Sequence, residues 1–263
     1  CSDGDLMEGV AAEAASLAGH LGLGKLVFLY DDNNITIDGS TELAFSEDVA
    51  ARFVAYGWHV QKIDGSDAVA VAEALKQARA EGERPSLICC KTTIAAGSPN
   101  KAGTSASHGA PLGADEVAAT KRALGWPVDA TFLVPEAAKA VFDAQLPVQA
   151  EMRAAWEARF AAYRQAYPEL AAQFEAHLNG AVSEDILAKI PSFPAGGAMA
   201  TRKAGHQVLK ALVKAHPTLI GGSADLAGSN GTELGVTSQS RSEPGGREIH
   251  FGVREHGMAA ICN

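Results

Sequence analysis

The sequence predicts an α/β protein built on a doubly wound parallel sheet, and three observations predict it. Short apolar runs of strand type, KLVFLY (25–30), WHVQKI (58–63) and SLICCK (86–91), recur along the first hundred residues. Between them lie helical stretches of ten or more residues, SEDVAARFVAYG (46–57) and SDAVAVAEALKQARAEG (66–82). That alternation is the signature of parallel strands joined by helical crossovers. Two of the strands run into polar segments, DDNN (31–34) and TTIAAGSPN (92–100). In such sheets ligands sit beyond the carboxyl ends of the strands.

Taken in order, residues 7–22 place Val10, Ala14, Leu17, Ala18 and Leu21 at helical spacing, closed by Gly22 and Gly24. Ser46 is the expected cap of the helix over 46–57. In SLICCK, Cys89 and Cys90 are adjacent, so a strand sends their side chains to opposite faces. Residues 136–190 are Ala-rich and helical; Trp156, Phe160, Tyr163, Tyr167 and Phe174 form a stripe expected to pack rather than to bind a cofactor. KIPSFPAGGA (189–198) has the composition of a linker. A helix (201–215), a glycine-rich turn (220–231), a strand (248–253) and a helix start at REHGMAA then open a second α/β domain. The expected division is 1–185 for the first domain, 186–200 for the linker and 201–263 for the second. Cys1 reads as a residue already inside a strand and GMAAICN as mid-helix, so the fold is expected to be incomplete at both ends.

A net charge of −9 argues against nucleic-acid binding, which needs a basic face. No apolar run approaches the roughly 18 residues of a membrane span. Four cysteines do not make a disulfide framework in a chain of 263 residues, which points to reduced thiols and a cytoplasmic protein.

The chain opens on CSDGDLMEGV, with carboxylates on glycine-flanked backbone. Asp3 lies 30 residues before Asn33, and both follow strand-like segments. A carboxylate and an amide oxygen are hard ligands suited to Mg2+ shared with a diphosphate. Gly4 and the turn into the following helix let backbone N–H groups approach an anion. Asp3 serving only as a helix cap is equally compatible with its spacing.

SDGDLMEG followed by YDDNNITIDG resembles the thiamine diphosphate signature, Gly-Asp-Gly and then Asn-Asn, and more narrowly resembles the transketolase family. GSPNKAGTSASHGAPLG (97–113), ATRKAG (200–205), GGSADLAGSN (221–230) and HFGVREHGM (250–258) are similar to transketolase segments in the family's order. Ser2 stands where the signature has its first Gly, and Asp32 where the general signature has its first Asn. The latter substitution is the one transketolases commonly carry.

The resemblance implies the thiamine diphosphate-binding fold, with the latter part of the diphosphate-binding domain, a linker and the start of the pyrimidine-binding domain. It implies thiamine diphosphate and Mg2+ as cofactors, with Ca2+ or Mn2+ as substitutes for the metal. Mg2+ would be held by Asp3, Asn33 and the main-chain oxygen of Ile35. Ile37 and Ile94 would line the thiazolium pocket, a role that sequence does not separate from core packing. Glu255 would contact the aminopyrimidine ring and drive formation of the ylid, as a buried carboxyl of raised pKa. His108 would lie near the diphosphate and the donor sugar, available for proton transfer. Arg202 and Ser229 would grip the sugar phosphate. Gly4 and Asp225 would approach the cofactor, and Glu8 the dimer interface beside it. The implied activity moves a two-carbon ketol unit from xylulose 5-phosphate to ribose 5-phosphate or erythrose 4-phosphate in the pentose phosphate pathway. It would be exercised by a homodimer whose active sites lie between subunits, the fragment alone being inactive. Dihydroxyacetone synthase is the harder rival to separate, deoxyxylulose phosphate synthase the easier. A catalytically inactive cofactor-binding paralogue is disfavoured by the presence of Asp3, Asn33, His108 and Glu255.

Overall fold

The computed structural model describes residues 1–180 and 186–263. The expected domain boundary at residue 185 lies outside the described residues. The chain forms two compact units, one of residues 1–128, 200–206 and 220–263, the other of 129–199 and 207–219.

In the first unit the core is a parallel sheet of β1 (Val27–Asp32), β4 (His59–Asp64) and β5 (Ser86–Lys91), in the order β1-β5-β4. All three strands end level, at Asp32, Lys91 and Asp64. Residues 1 and 2 run beside β1 in strand fashion, with the Asp31 N–H donating to the Cys1 carbonyl at 2.9 Å and a bridge between Ser2 and Asp31. Cys1 itself lies in no strand; the single bridge is at Ser2.

Helices cover both faces of this sheet. On one face α1 (Asp3–Met7), α2 (Gly9–Leu21) and α3 (Val49–Ala55) bring Leu6, Ala15, Ala18, Val49, Ala50 and Phe53 against Tyr30, Leu87 and Cys89. On the other, α4 (Ala68–Ala80) places Ala74 and Ala78 against Ile88 and Cys90. Cys89 and Cys90 thus serve opposite cores, as their adjacency in a strand requires.

Three of the differences from the expected boundaries have a local physical reason. The opening helix begins at Asp3 and not at residue 7, because Ser2 and Asp5 form a capping box: the Ser2 N–H donates to the Asp5 carboxylate at 2.7 Å. It breaks at Glu8, whose backbone is extended, before α2 starts. The helix expected from Ser46 is capped by Asp48 instead, its carboxylate accepting the Ala51 N–H at 3.0 Å. The glycine-rich stretch 220–231 is more than a turn. It contains β6 (Gly221–Ser223), which pairs in parallel with β7 (Glu248–His250), and α9 (Ala227–Asn230). Within β6, position 222 requires glycine because a Cβ there would run into the Ile249 main chain.

This second small sheet packs on the opposite side of α2, where Leu17 meets Ala224, Ile249 and Phe251. The last helix, α10 (Glu255–Cys262), docks on α2 as well: the Gly257 N–H donates to Glu13 at 2.6 Å, and Arg254 donates to the Ser16 hydroxyl at 3.0 Å. In the second unit, α6 (Glu136–Ala166) and α7 (Pro168–Leu178) pack through the expected aromatic stripe. Trp156 stacks on Phe160 at 5.2 Å between ring centres, and Phe160 meets Phe174 at 5.5 Å. Helix α8 (Thr201–Ala215) has the bounds that the sequence suggests.

Candidate active site at the carboxyl ends of the sheet

Asp3 sits where the strand-like first residues turn into α1, and only 3% of its surface is exposed. Tyr30, at the end of β1 and equally buried, donates its hydroxyl to Asp3 Oδ1. Asp3 Oδ2 is buried and has no hydrogen-bond partner. Burial raises the Asp3 pKa and the nearby Asp32 charge adds to the rise; the Tyr30 hydrogen bond and, more weakly, the Asn34 backbone N–H and the Lys91 charge pull the other way. A buried, half-satisfied carboxylate is costly unless something pairs with it.

Asp3 borders a cleft of about 440 Å³ with Tyr30, Asp32, Asn34 and Lys91. The buried Thr41 lines both that cleft and a second one of about 530 Å³. The second cleft is lined by Gly4, Asn33, Ile35, Ile37 and His108 among others. Five expected site residues therefore share one cavity, drawn from segments about a hundred residues apart.

The loop after β1 is built to hold its shape. Asn33 Oδ1 accepts the Ile35 N–H at 2.9 Å, and Asn34 takes a left-handed φ of 63°, a conformation asparagine tolerates. A two-strand hairpin follows, β2 (Ile35–Thr36) against β3 (Gly39–Ser40), and lifts Ile37 to its tip. Ile37 is 73% exposed, outside the cores of the first unit. Ile94 is half-buried in the loop after β5, its carbonyl accepting the Gly103 N–H at 2.9 Å. His108 Nδ1 is buried without a hydrogen-bond partner at the edge of the second cleft.

Glu116 was not expected to matter, yet it organises the loop that carries His108. From α5 (Ala114–Ala123) its carboxylate accepts the Ser98 hydroxyl, the Asn100 N–H at 2.9 Å and the Asn100 side-chain amide at 2.9 Å. Lys101 closes the same loop on the Leu112 carbonyl at 2.9 Å. The hydrogen bonds from Asn100 and Ser98 hold the Glu116 carboxyl down at about 2, below the ordinary 4.5. Because its folded pKa is depressed, Glu116 contributes stability above pH 4.5 that is lost as pH falls toward 2. Thermal unfolding followed by circular dichroism should therefore show a midpoint that drops between pH 5 and pH 2. Glu116→Gln should flatten that part of the curve; an unchanged slope would refute this origin for it.

The remaining expected residues lie elsewhere. Glu255 is the first residue of α10 and is exposed, not buried as expected, since nothing in the described chain covers the start of that helix. Asp225 is exposed at a φ of 62°, a left-handed conformation that aspartate, like asparagine, adopts more readily than most residues. Arg202 and Ser229 are exposed on adjoining elements. Gly231, which ends α9, abuts the Arg202 carbonyl, and His206 of α8 bonds to the Gly231 carbonyl at 2.9 Å. Glu8 is exposed at the break between α1 and α2. None of these five borders the two clefts.

Among the described residues no group of three His, Cys, Asp or Glu side chains converges on a metal position. A cation here would draw on a carboxylate, an amide and main-chain oxygens, the donor set of hard ions such as Mg2+. The unpartnered Asp3 Oδ2 fits that demand. So does Gly4, where the volume that a Cβ would fill is open cleft. No described helix is long and apolar enough to cross a membrane.

Residues 1–183 match the family described as transketolase, thiamine diphosphate binding domain, and residues 197–263 match transketolase, pyrimidine binding domain. A transketolase of Halalkalibacterium halodurans is 51% identical over 265 residues, and Transketolase 1 of Escherichia coli 47% identical over 267. Each comparison covers 99–100% of this chain and 40% of the relative, so the chain spans about 40% of the length of those proteins. The crystal structure of a Pichia stipitis transketolase in complex with sedoheptulose 7-phosphate superposes with a TM-score of 0.93 at 43% identity, over 99% of this chain and 40% of that one. Leishmania mexicana transketolase gives 0.95 at 42%, over 100% and 40%. The parallel sheet, the order of both halves and the likeness along the whole length agree: the chain belongs to the transketolase family.

Proposed function

We propose that this chain is the cofactor-binding part of an enzyme that transfers a two-carbon ketol unit between sugar phosphates, from xylulose 5-phosphate to ribose 5-phosphate or erythrose 4-phosphate. The observation that carries the reading is Asp3 Oδ2, a buried carboxylate oxygen with no partner, at the carboxyl ends of a parallel sheet. In this reading Asp3, Asn33 and the Ile35 carbonyl hold Mg2+, replaceable by Ca2+ or Mn2+, and Gly4 leaves room for the diphosphate. Bound thiamine diphosphate supplies the electron sink that stabilises the carbanion left when a ketose C2–C3 bond breaks.

The chain's own residues do the rest. The exposed Ile37, at the lip of the cleft, and Ile94 shield the reacting ring from water. His108 offers a buried, unpartnered Nδ1 for moving a proton at the sugar. Arg202 and Ser229, on adjoining elements, bind the sugar phosphate. Glu255 contacts the aminopyrimidine and holds a proton there, with Asp225 beside it. In this chain Glu255 is exposed and borders neither cleft, which supports a homodimer in which Asp3 and Glu255 of one subunit serve different sites, with Glu8 near the interface. The domains we propose are 1–185, 186–200 as linker, and 201–263. The location is cytoplasmic.

The test is a coupled ketol-transfer assay on the full-length dimer, with metal and thiamine diphosphate removed and restored. Activity should vanish on removal and return only with both. Turnover indifferent to chelation and cofactor removal would refute the reading.

A further inference from the structure

The Asp3 carboxylate is not simply buried; its two oxygens are treated differently. Oδ1 receives the Tyr30 hydroxyl, while Oδ2 has no partner at hydrogen-bonding geometry, the Asn34 backbone N–H being a weaker neighbour of the carboxylate. Tyr30 itself is buried in the core. It lies in a strand whose neighbour β5 pairs with it at Cys89, and it belongs to the core cluster that includes Leu6, Phe53, Trp58 and Leu87. The strand-like pairing of residues 1 and 2 with β1 sets Asp3 beside it. A phenylalanine would fill the same space, so the core does not need the hydroxyl. The hydroxyl engages one carboxylate oxygen only.

We propose that Tyr30 is a positioning residue for Asp3: its phenol fixes one carboxylate oxygen and thereby aims the other at the divalent cation. The proposal rests on the reading of Asp3 as a metal ligand. Groups that orient a ligating carboxylate typically matter by 10–100-fold in metal affinity.

The test uses the full-length protein and Mg2+ titrations by calorimetry at fixed thiamine diphosphate. Tyr30→Phe should weaken Mg2+ binding about 10–100-fold, and saturating Mg2+ should return cofactor affinity to within about threefold of the parent. In an Asp3→Asn background, where residual binding is read at high Mg2+, adding Tyr30→Phe should have no further effect, because the tyrosine acts through the aspartate. Mg2+ affinity within threefold of the parent in Tyr30→Phe overturns the proposal, as does an equal loss in the Asp3→Asn background. Unchanged Mg2+ affinity in Asp3→Asn alone instead brings down the ligand reading, and this proposal with it. If Tyr30→Phe fails to fold, the double variant decides. A folded Asp3→Asn/Tyr30→Phe chain shows that the hydroxyl serves the carboxylate; an unfolded one overturns the proposal.

Discussion

Asp3→Asn should lose Mg2+-dependent cofactor binding by at least about 100-fold, more than the loss of an orienting group costs, while making the cofactor-free protein more stable at neutral pH. Both effects come from one feature. The carboxylate is buried, and one of its oxygens is unpartnered. Its pKa in the fold lies above the unfolded value. A group raised in this way gives its full contribution below the unfolded pKa and loses it as pH rises through the folded pKa. At pH 7 the charged side chain is thus a burden that asparagine, nearly identical in shape, does not carry. Calorimetry for binding and thermal melts of the cofactor-free forms read the two halves separately. A variant that binds normally, or one that melts lower than the parent at pH 7, contradicts the account. Such opposed effects are common where a site is built at the expense of stability.

Glu255→Gln should lower ketol transfer by about 10²–10⁴-fold, the range for loss of a positioned acid–base group, and leave diphosphate and metal binding within a few-fold. The separation follows from the fold. Glu255 opens α10 beside the second sheet, whereas the diphosphate reading rests on Gly4, Asp3 and Asn33 at the first. Steady-state kinetics with a parallel binding titration distinguish the two. Near-normal turnover refutes the assigned role, and a matching loss of cofactor affinity would move Glu255 into the binding machinery.

How far the sequence could be read depended on the range of the interaction. KLVFLY and SLICCK disclosed strands because burial leaves an apolar run, and 201–215 disclosed a helix because its apolar residues repeat with the helical period. Caps were harder. Ser46 and Asp48 are both good N-caps two residues apart, and the choice fell to whichever side chain reached a free N–H. The capping box at Ser2 and Asp5 was legible, but the glycine between them drew the eye to a turn. Gly222 misled in the same direction: glycine signals a turn by default, and only the approach of the Ile249 main chain shows why a strand would want it. The site residues came from motif resemblance, which carries positions but not contacts. Tyr30 with Asp3 and Glu116 with Asn100 are pairs 27 and 16 residues apart, and no local period announces them.

Helix α2 has the first sheet on one flank and the second sheet with α10 on the other. It therefore works as a common wall between two rooms, and a helix so placed has little solvent-facing margin in which substitutions go unnoticed. Its composition reflects this: alanine and glycine where an outer helix would carry lysine and glutamate. A bulky replacement at Leu17 would press on the second sheet and one at the adjacent Ala18 on the first, so this one helix passes a disturbance in either direction without any ligand to relay it.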